Sequence, residues 1–191
     1  MPLTAPVTRR EVHHRVIDMK TYARDDGLFD VEAHLVDTKP FDFSPLVVPK
    51  HVAAGEPIHD LWIRLTVDGD YVVRAIEASS DVTPYDICKG AEDTLSVLIG
   101  EPLARGWSAK VKERLRGSAS CTHLMEMLIP LATTGLQGIW GSDATRFKTL
   151  VADGGATKVD SCYAYSRHRA VVKMHWPDRY VPAESQSDQV E

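Results

Sequence analysis

Residues 57–79 constrain the fold more than any other stretch. In PIHDLWIRLTVDGDYVVRAIEAS, His59, Leu61, Ile63, Leu65 and Val67 alternate with Asp60, Trp62, Arg64, Thr66 and Asp68. A period of two belongs to a strand with one face toward a core. The Asp68-Gly69-Asp70 interruption predicts a turn, so the stretch reads as a β-hairpin. With Gly69 and Asp70 at the turn centre, Trp62 pairs with Glu77 and Arg64 lies diagonal to Glu77.

A second hairpin precedes it. VHHRVIDMKTYAR runs into Asp26-Gly27, and LFDVEAHLVDTK runs back over residues 28–39. Asp-Gly supplies the positive φ that a tight turn needs. Its alternation is irregular: Ile17, Met19 and Val36 suggest one face, and Val16, Leu35 and Ala33 the other.

Between the hairpins, residues 38–57 carry four of the chain's eleven prolines and read as a long loop. Long loops inside compact domains tend to carry function. After Pro84 the pattern turns helical. Ile87, Ala91, Leu95 and Leu98 predict one stripe, ended by Gly100 and Pro102. GWSAKVKERLRG predicts a short amphipathic helix between glycines. CTHLMEMLIPLATTGLQGIWG predicts a longer apolar helix that Pro130 should kink or divide. Ser118 or Ser120 is the expected N-cap.

The expected fold is therefore α+β: a four-stranded antiparallel sheet of two hairpins, packed by two or three helices. The expected boundaries are a flexible arm over 1–11, a single domain over 12–180 and a polar tail over 181–191. The 191 residues are 43% hydrophobic, enough material for one sizeable core.

Net charge is −5. Nucleic-acid binders carry a basic field, and here the one basic cluster, Lys110, Lys112, Arg114 and Arg116, is broken by Glu113. No nucleic-acid partner is expected. Three scattered cysteines argue for a reducing cytosol rather than a disulfide scaffold. No apolar run approaches the roughly 20 residues of a bilayer span. A soluble cytoplasmic protein without a membrane partner is expected. An exposed sheet edge or the apolar helix can support a homodimer.

Candidate chemistry concentrates in a few places. His123 sits in the first turn of a predicted helix, where the N-terminal field favours a neutral imidazole suited to acid–base work. Cys121, two residues earlier, should point roughly 200° away around the axis. His59 starts a strand beside the proline-rich loop, where pocket residues gather. A core histidine is the competing reading. Arg64 and Glu77 read first as an ion pair stitching the hairpin, and second as a substrate-positioning pair. Asp37 and Lys39 flank the loop and can reach a phenol or carboxylate. Cys88, Cys121, His123 and Cys162 offer metal-ligand types but lack the short spacing of a structural zinc site, so no metal is expected. No Gly-rich dinucleotide fingerprint, Walker loop, HExxH or GxSxG occurs, so no organic cofactor is expected.

The runs GEPIHDLWIRLTVDGDYVVRAIEA, TPYDIC, GW, SCTHL and DSCYAYSRHRAVVKMHWPDRY together resemble domain-of-unknown-function family 2889, over about residues 12–180. Ser120 departs from the glycine expected before the cysteine. The family is bacterial, and its members often accompany the breakdown of lignin-related aromatic compounds. The resemblance implies a small-molecule enzyme. The leading expectation is a cofactor-independent lyase that cleaves an oxygenated aromatic by acid–base chemistry and releases a fragment such as formaldehyde. His123 and His59 are the acid–base candidates, with His123 suited to general base. Arg64 or Lys39 would stabilise the oxyanion, and Glu77 would orient them. Trp62, Phe41, Phe43 and Tyr22 would line the cavity. The alternatives are a metal- or sulfur-handling scaffold and a non-catalytic module that binds an aromatic ligand.

Overall fold

The computed structural model describes residues 3–45, 50–142 and 158–183. The expected tail lies mostly outside them, as do residues 46–49 of the proline-rich loop and most of the stretch from 141 to 158. The chain divides into two compact units, 1–142 and 143–191, each taken by itself below.

In the first unit, β1 (His14–Ala23), β2 (Phe29–Thr38), β3 (Pro57–Val67) and β4 (Val73–Val82) form one antiparallel sheet in sequence order. This is the α+β architecture the alternation predicts. Val31, Ala33, Leu35, Leu61, Ile63 and Leu65 are all at most 1% exposed and make the sheet's core face. Ile17 pairs with Leu35 and Met19 with Ala33, so those four share a face. That corrects the split inferred from the irregular alternation of the first hairpin. β1 is an edge strand, and its weak amphipathic signal follows from its exposure.

Both hairpins use a three-residue loop closed by a residue at positive φ. In the first, the Gly27 amide bonds the Arg24 carbonyl and Gly27 has φ +83°. In the second, the Tyr71 amide bonds the Asp68 carbonyl and Tyr71 has φ +65°. A turn followed by a left-handed residue is the usual three-residue solution. The expected two-residue turn at Gly69-Asp70 is thus replaced, and the register moves: Arg64 pairs directly with Glu77, and Trp62 with Ser79. A register shift at Thr66/Val67 brings Val73 to the core face, fully buried.

Two 3₁₀ turns, Asp86–Ala91 and Asp93–Leu98, stand where one continuous stripe was expected. Leu95 and Leu98 are buried, whereas Ile87 is 87% exposed. Then come α1 (Trp107–Leu115) and α2 (Thr122–Ser142). α2 buries Leu124, Met127, Leu128, Leu131, Gly135 and Ile139, the i, i+3, i+4 spacing of one helical face. Pro130 does not divide it. The Trp107 indole donates to the Leu128 carbonyl at 2.8 Å, satisfying a buried polar atom. α2 meets β1 with glycine at the crossing: a Cβ on Gly138 would lie 2.5 Å from the Thr21 Cβ. Lys110 and Arg114 of α1 both pair with Glu101, so the basic cluster is partly neutralised.

In the second unit, α3 (Ala170–His175) follows a set of turns in which Arg167 binds Asp160. The Arg169 guanidinium lies 3.3 Å over the Tyr163 ring, and Cys162 is exposed. Among the described residues, no helix is long and apolar enough to cross a membrane.

Candidate active site

One end of the sheet's core face is polar. Going up β2, the buried series Phe29, Val31, Ala33, Leu35 ends in Asp37, a carboxylate only 1% exposed. An ionised carboxylate this buried needs partners. It has four. Arg15, directly opposite on β1, binds both oxygens, Nε to Oδ1 and Nη2 to Oδ2, each at 2.7 Å. His13 Nε2 lies 3.3 Å from Oδ1. His59, opposite on β3, holds Nδ1 3.1 Å from Oδ2, and His123 Nε2 approaches Oδ2 at 3.9 Å. The two rings of His59 and His123 sit 4.1 Å apart, centroid to centroid.

Electrostatics follows from this packing. Burial pushes the Asp37 carboxyl up, but the Arg15 hydrogen bonds and charge, with His59 and His13, bring it below the ordinary carboxylate range. His59 is held below the ordinary imidazole value, first by burial and then by the neighbouring His123, against the opposing pull of Asp37. With Asp37 ionised, Nδ1 of His59 is the protonated nitrogen and Nε2 carries the free lone pair. A carboxylate-oriented neutral imidazole is a general base.

Cys121 is the N-cap of α2: its carbonyl accepts the Met125 amide. Neither Ser118 nor Ser120 takes that place. Since Cys121 precedes the helix, the helical angle does not apply, and its Sγ lies 3.9 Å from His123 Nδ1. Burial raises the thiol, yet the His123 contact and the Leu124 and His123 amides outweigh it and lower the pKa.

A cavity of about 490 Å³ opens over the cluster. Arg15, Asp37, His13, His59 and His123 form its polar wall, and Lys39 stands beside them. Phe43, Tyr85, Ile58, Pro45 and Pro84 form the apolar wall. The register shift at Asp37/Thr38 explains why consecutive residues Ile58 and His59 both face it.

The structure thus brings together His59, His123, Asp37, Lys39 and Phe43. Phe41 stands just outside the lining, its ring 5.5 Å from Lys39 Nζ. Four expected residues are elsewhere. Glu77, Arg64, Trp62 and Tyr22 project from the opposite sheet face: Tyr22, Trp62 and Arg64 are an odd number of positions from the core-facing series of their strands, and Glu77 pairs with Arg64. Arg64 there bonds Glu32 at 2.7 Å and Glu77 at 3.1 Å, the structural reading of that pair. Trp62 stacks on His34 at 3.7 Å. Cys88 and Cys162 join no ligand cluster: among the described residues, the group able to hold a metal is Asp37, His59 and His123. Sequence reasoning missed Arg15, His13 and Tyr85. The signal for the first two was present as a period of two, His13 and Arg15 continuing the face of Ile17 and Met19.

No curated protein and no solved structure matches the chain. The family described as protein of unknown function DUF2889 matches residues 13–137, which contain the whole sheet and the three cavity histidines, and the chain belongs to it.

Proposed function

We propose that this cavity is the active site of a lyase that cleaves an oxygenated, lignin-related aromatic compound without an organic cofactor, releasing formaldehyde. The observation that carries the reading is the His59–Asp37 pair facing a half-apolar cavity, with a second imidazole 4.1 Å away. A para-hydroxyaryl substrate first gives up its phenolic proton to solvent and expels its benzylic oxygen substituent, which leaves with a proton donated by His123. The resulting quinone methide is an electron sink. His59 Nε2 then takes the proton of a hydroxymethyl group on the next carbon. The C–C bond breaks, formaldehyde leaves, and the bonding pair restores the aromatic ring as an alkene forms. Arg15, through the Nη1 that Asp37 does not take, supplies the cationic donor for the phenolate oxygen. Phe43 and Tyr85 flank the ring.

The test is formaldehyde release from para-hydroxyaryl dimers bearing a hydroxymethyl side chain, with wild-type protein and His59→Gln. Release that falls at least about a hundredfold in the variant supports the base assignment. Tight binding without any product would leave a ligand-binding module.

A second reading has its own observation. Asp37, His59 and His123 each offer a ligand atom, all within 4.8 Å of one another, and two imidazoles with a carboxylate suit a divalent transition metal. Against it, Arg15 occupies both Asp37 oxygens and brings a fixed positive charge to the same place. Stoichiometric zinc or iron in native-purified protein, lost in His123→Ala, would favour the metal.

A further inference from the structure

The charges around the cavity are unbalanced. Among the described residues that line it, the only carboxylate is Asp37, and both of its oxygens are taken by Arg15. Glu126, more than half exposed, approaches Arg15 at 3.8 Å and lies outside the lining. That leaves Lys39. It has no acidic partner among the described residues, and its contacts are the Phe41 and Phe43 rings, 5.5 and 5.3 Å from Nζ. A lysine held between two aromatic faces keeps its stem dry and its ammonium poorly compensated. Lys39 follows Asp37 by two residues, so it extends the same side of the chain beyond the strand end. The two described limbs of the loop are tied together: the Gly55 amide bonds the Lys39 carbonyl at 2.8 Å, and Phe43 pairs with Val52 through two 2.9 Å bonds. The chain as a whole carries −5, so the positive cavity is a local feature and not a reflection of composition.

We infer that the cavity selects an aromatic ligand carrying a carboxylate, which docks on Lys39 while its ring lies against Phe43 and Tyr85. Lys39 is then a specificity-determining residue. This deepens the lyase reading by naming the substrate class, and rests on that reading only for the statement that the bound ligand is also the substrate. A phenol is neutral at pH 7, its pKa being about 10, so the carboxylate is the group that answers the lysine.

The experiment is calorimetric binding at pH 7 of 4-hydroxyphenylacetate, its methyl ester and 4-hydroxyphenethyl alcohol. The three share ring and phenol and differ in charge. The carboxylate is expected to bind at least about tenfold tighter than either neutral probe, the scale of one charged hydrogen bond. The preference should shrink with added salt, vanish in Lys39→Met and persist in Lys39→Arg. Lys39 is only partly buried, so neither variant should lose the fold, which a thermal melt checks. Equal affinity for the three probes, no binding of any, or an unchanged preference in Lys39→Met would overturn the inference. Carboxylate-selective binding with no formaldehyde from any hydroxymethyl substrate would retire the lyase reading and leave this one standing.

Discussion

Replacing Asp37 with asparagine keeps the shape of the side chain and removes its charge. The consequence follows from counting donors. Every group facing the two oxygens is a donor: Arg15 Nε and Nη2, His59 Nδ1 and, more distantly, His13 and His123. An amide oxygen can serve one side, but its NH₂ must then face donors on the other. Two charge-assisted bonds are weakened or lost, at roughly 1.5–3 kcal/mol each. Arg15 is about a third exposed and recovers part of that by hydration, so a net loss of roughly 2–4 kcal/mol is expected. For a chain of this length that lowers Tm by about 6–12 °C at pH 7. A pH series sharpens the test. The folded carboxyl titrates below its unfolded value of about 3.9, so its stabilisation is complete above that value and is lost as pH falls through the folded pKa. The gap in Tm between wild type and Asp37→Asn should therefore be full at pH 7 and close below about pH 4. Turnover should fall further than stability, because the substituted amide turns the His59 ring to the other tautomer. Loss of the orienting carboxylate in such pairs costs about 10⁴ in rate. A Tm within 1–2 °C of wild type at pH 7, roughly a 0.5 kcal/mol effect, or a gap that does not change with pH, would refute the buried ion cluster.

The other predictions concern separate parts of the molecule. His59 has a lowered folded pKa, so it contributes nothing above its unfolded value near 6.5. Below that the unfolded chain binds the proton more readily, and stability falls with pH. His59→Gln should remove this loss, seen as a flatter Tm profile as pH falls below about 6.5, and the acid limb of wild-type turnover should lie below about 6.5. Gly138→Ala puts a Cβ 2.5 Å from Thr21 Cβ and should destabilise by about 1–3 kcal/mol, whereas Gly141→Ala, with open space around it, should gain up to about 1 kcal/mol. Urea melts of the two variants should move in opposite directions. Trp62→Ala and Arg64→Gln, on the far sheet face, should leave turnover within about twofold, since surface changes away from such features are nearly neutral.

The fold was readable where one face is buried and the other wet. β2 and β3 have that pattern, and their core positions follow directly from Leu61, Ile63 and Leu65. β1 did not show it, because an edge strand can expose Val16 and Ile17 together at 46% and 42%. That is also why Arg15 and His13 escaped notice: the strand carrying them gave no reliable face. The Glu77 assignment failed for a different reason. Direct pairing with Arg64 was two residues from the expected register, and the register was set by Tyr71 taking a positive φ normally left to glycine. The 3₁₀ turns at 86–98 gave two of four expected core residues, since a threefold period drifts from a helical stripe within a few residues.

His59 and His123 come from places that a linear reading treats as unrelated, a strand start and a helix start. What joins them is the carboxylate. A sheet core can end in a charged residue only if its neighbours across both strand pairs answer it, and here Arg15 and His59 occupy the positions opposite Asp37. The start of α2 then brings His123 over the same oxygen. The cationic surplus beside it follows from the same geometry. Once Arg15 is committed to Asp37, Lys39 is the charge left facing the cavity, and an anionic ligand is what would complete the set.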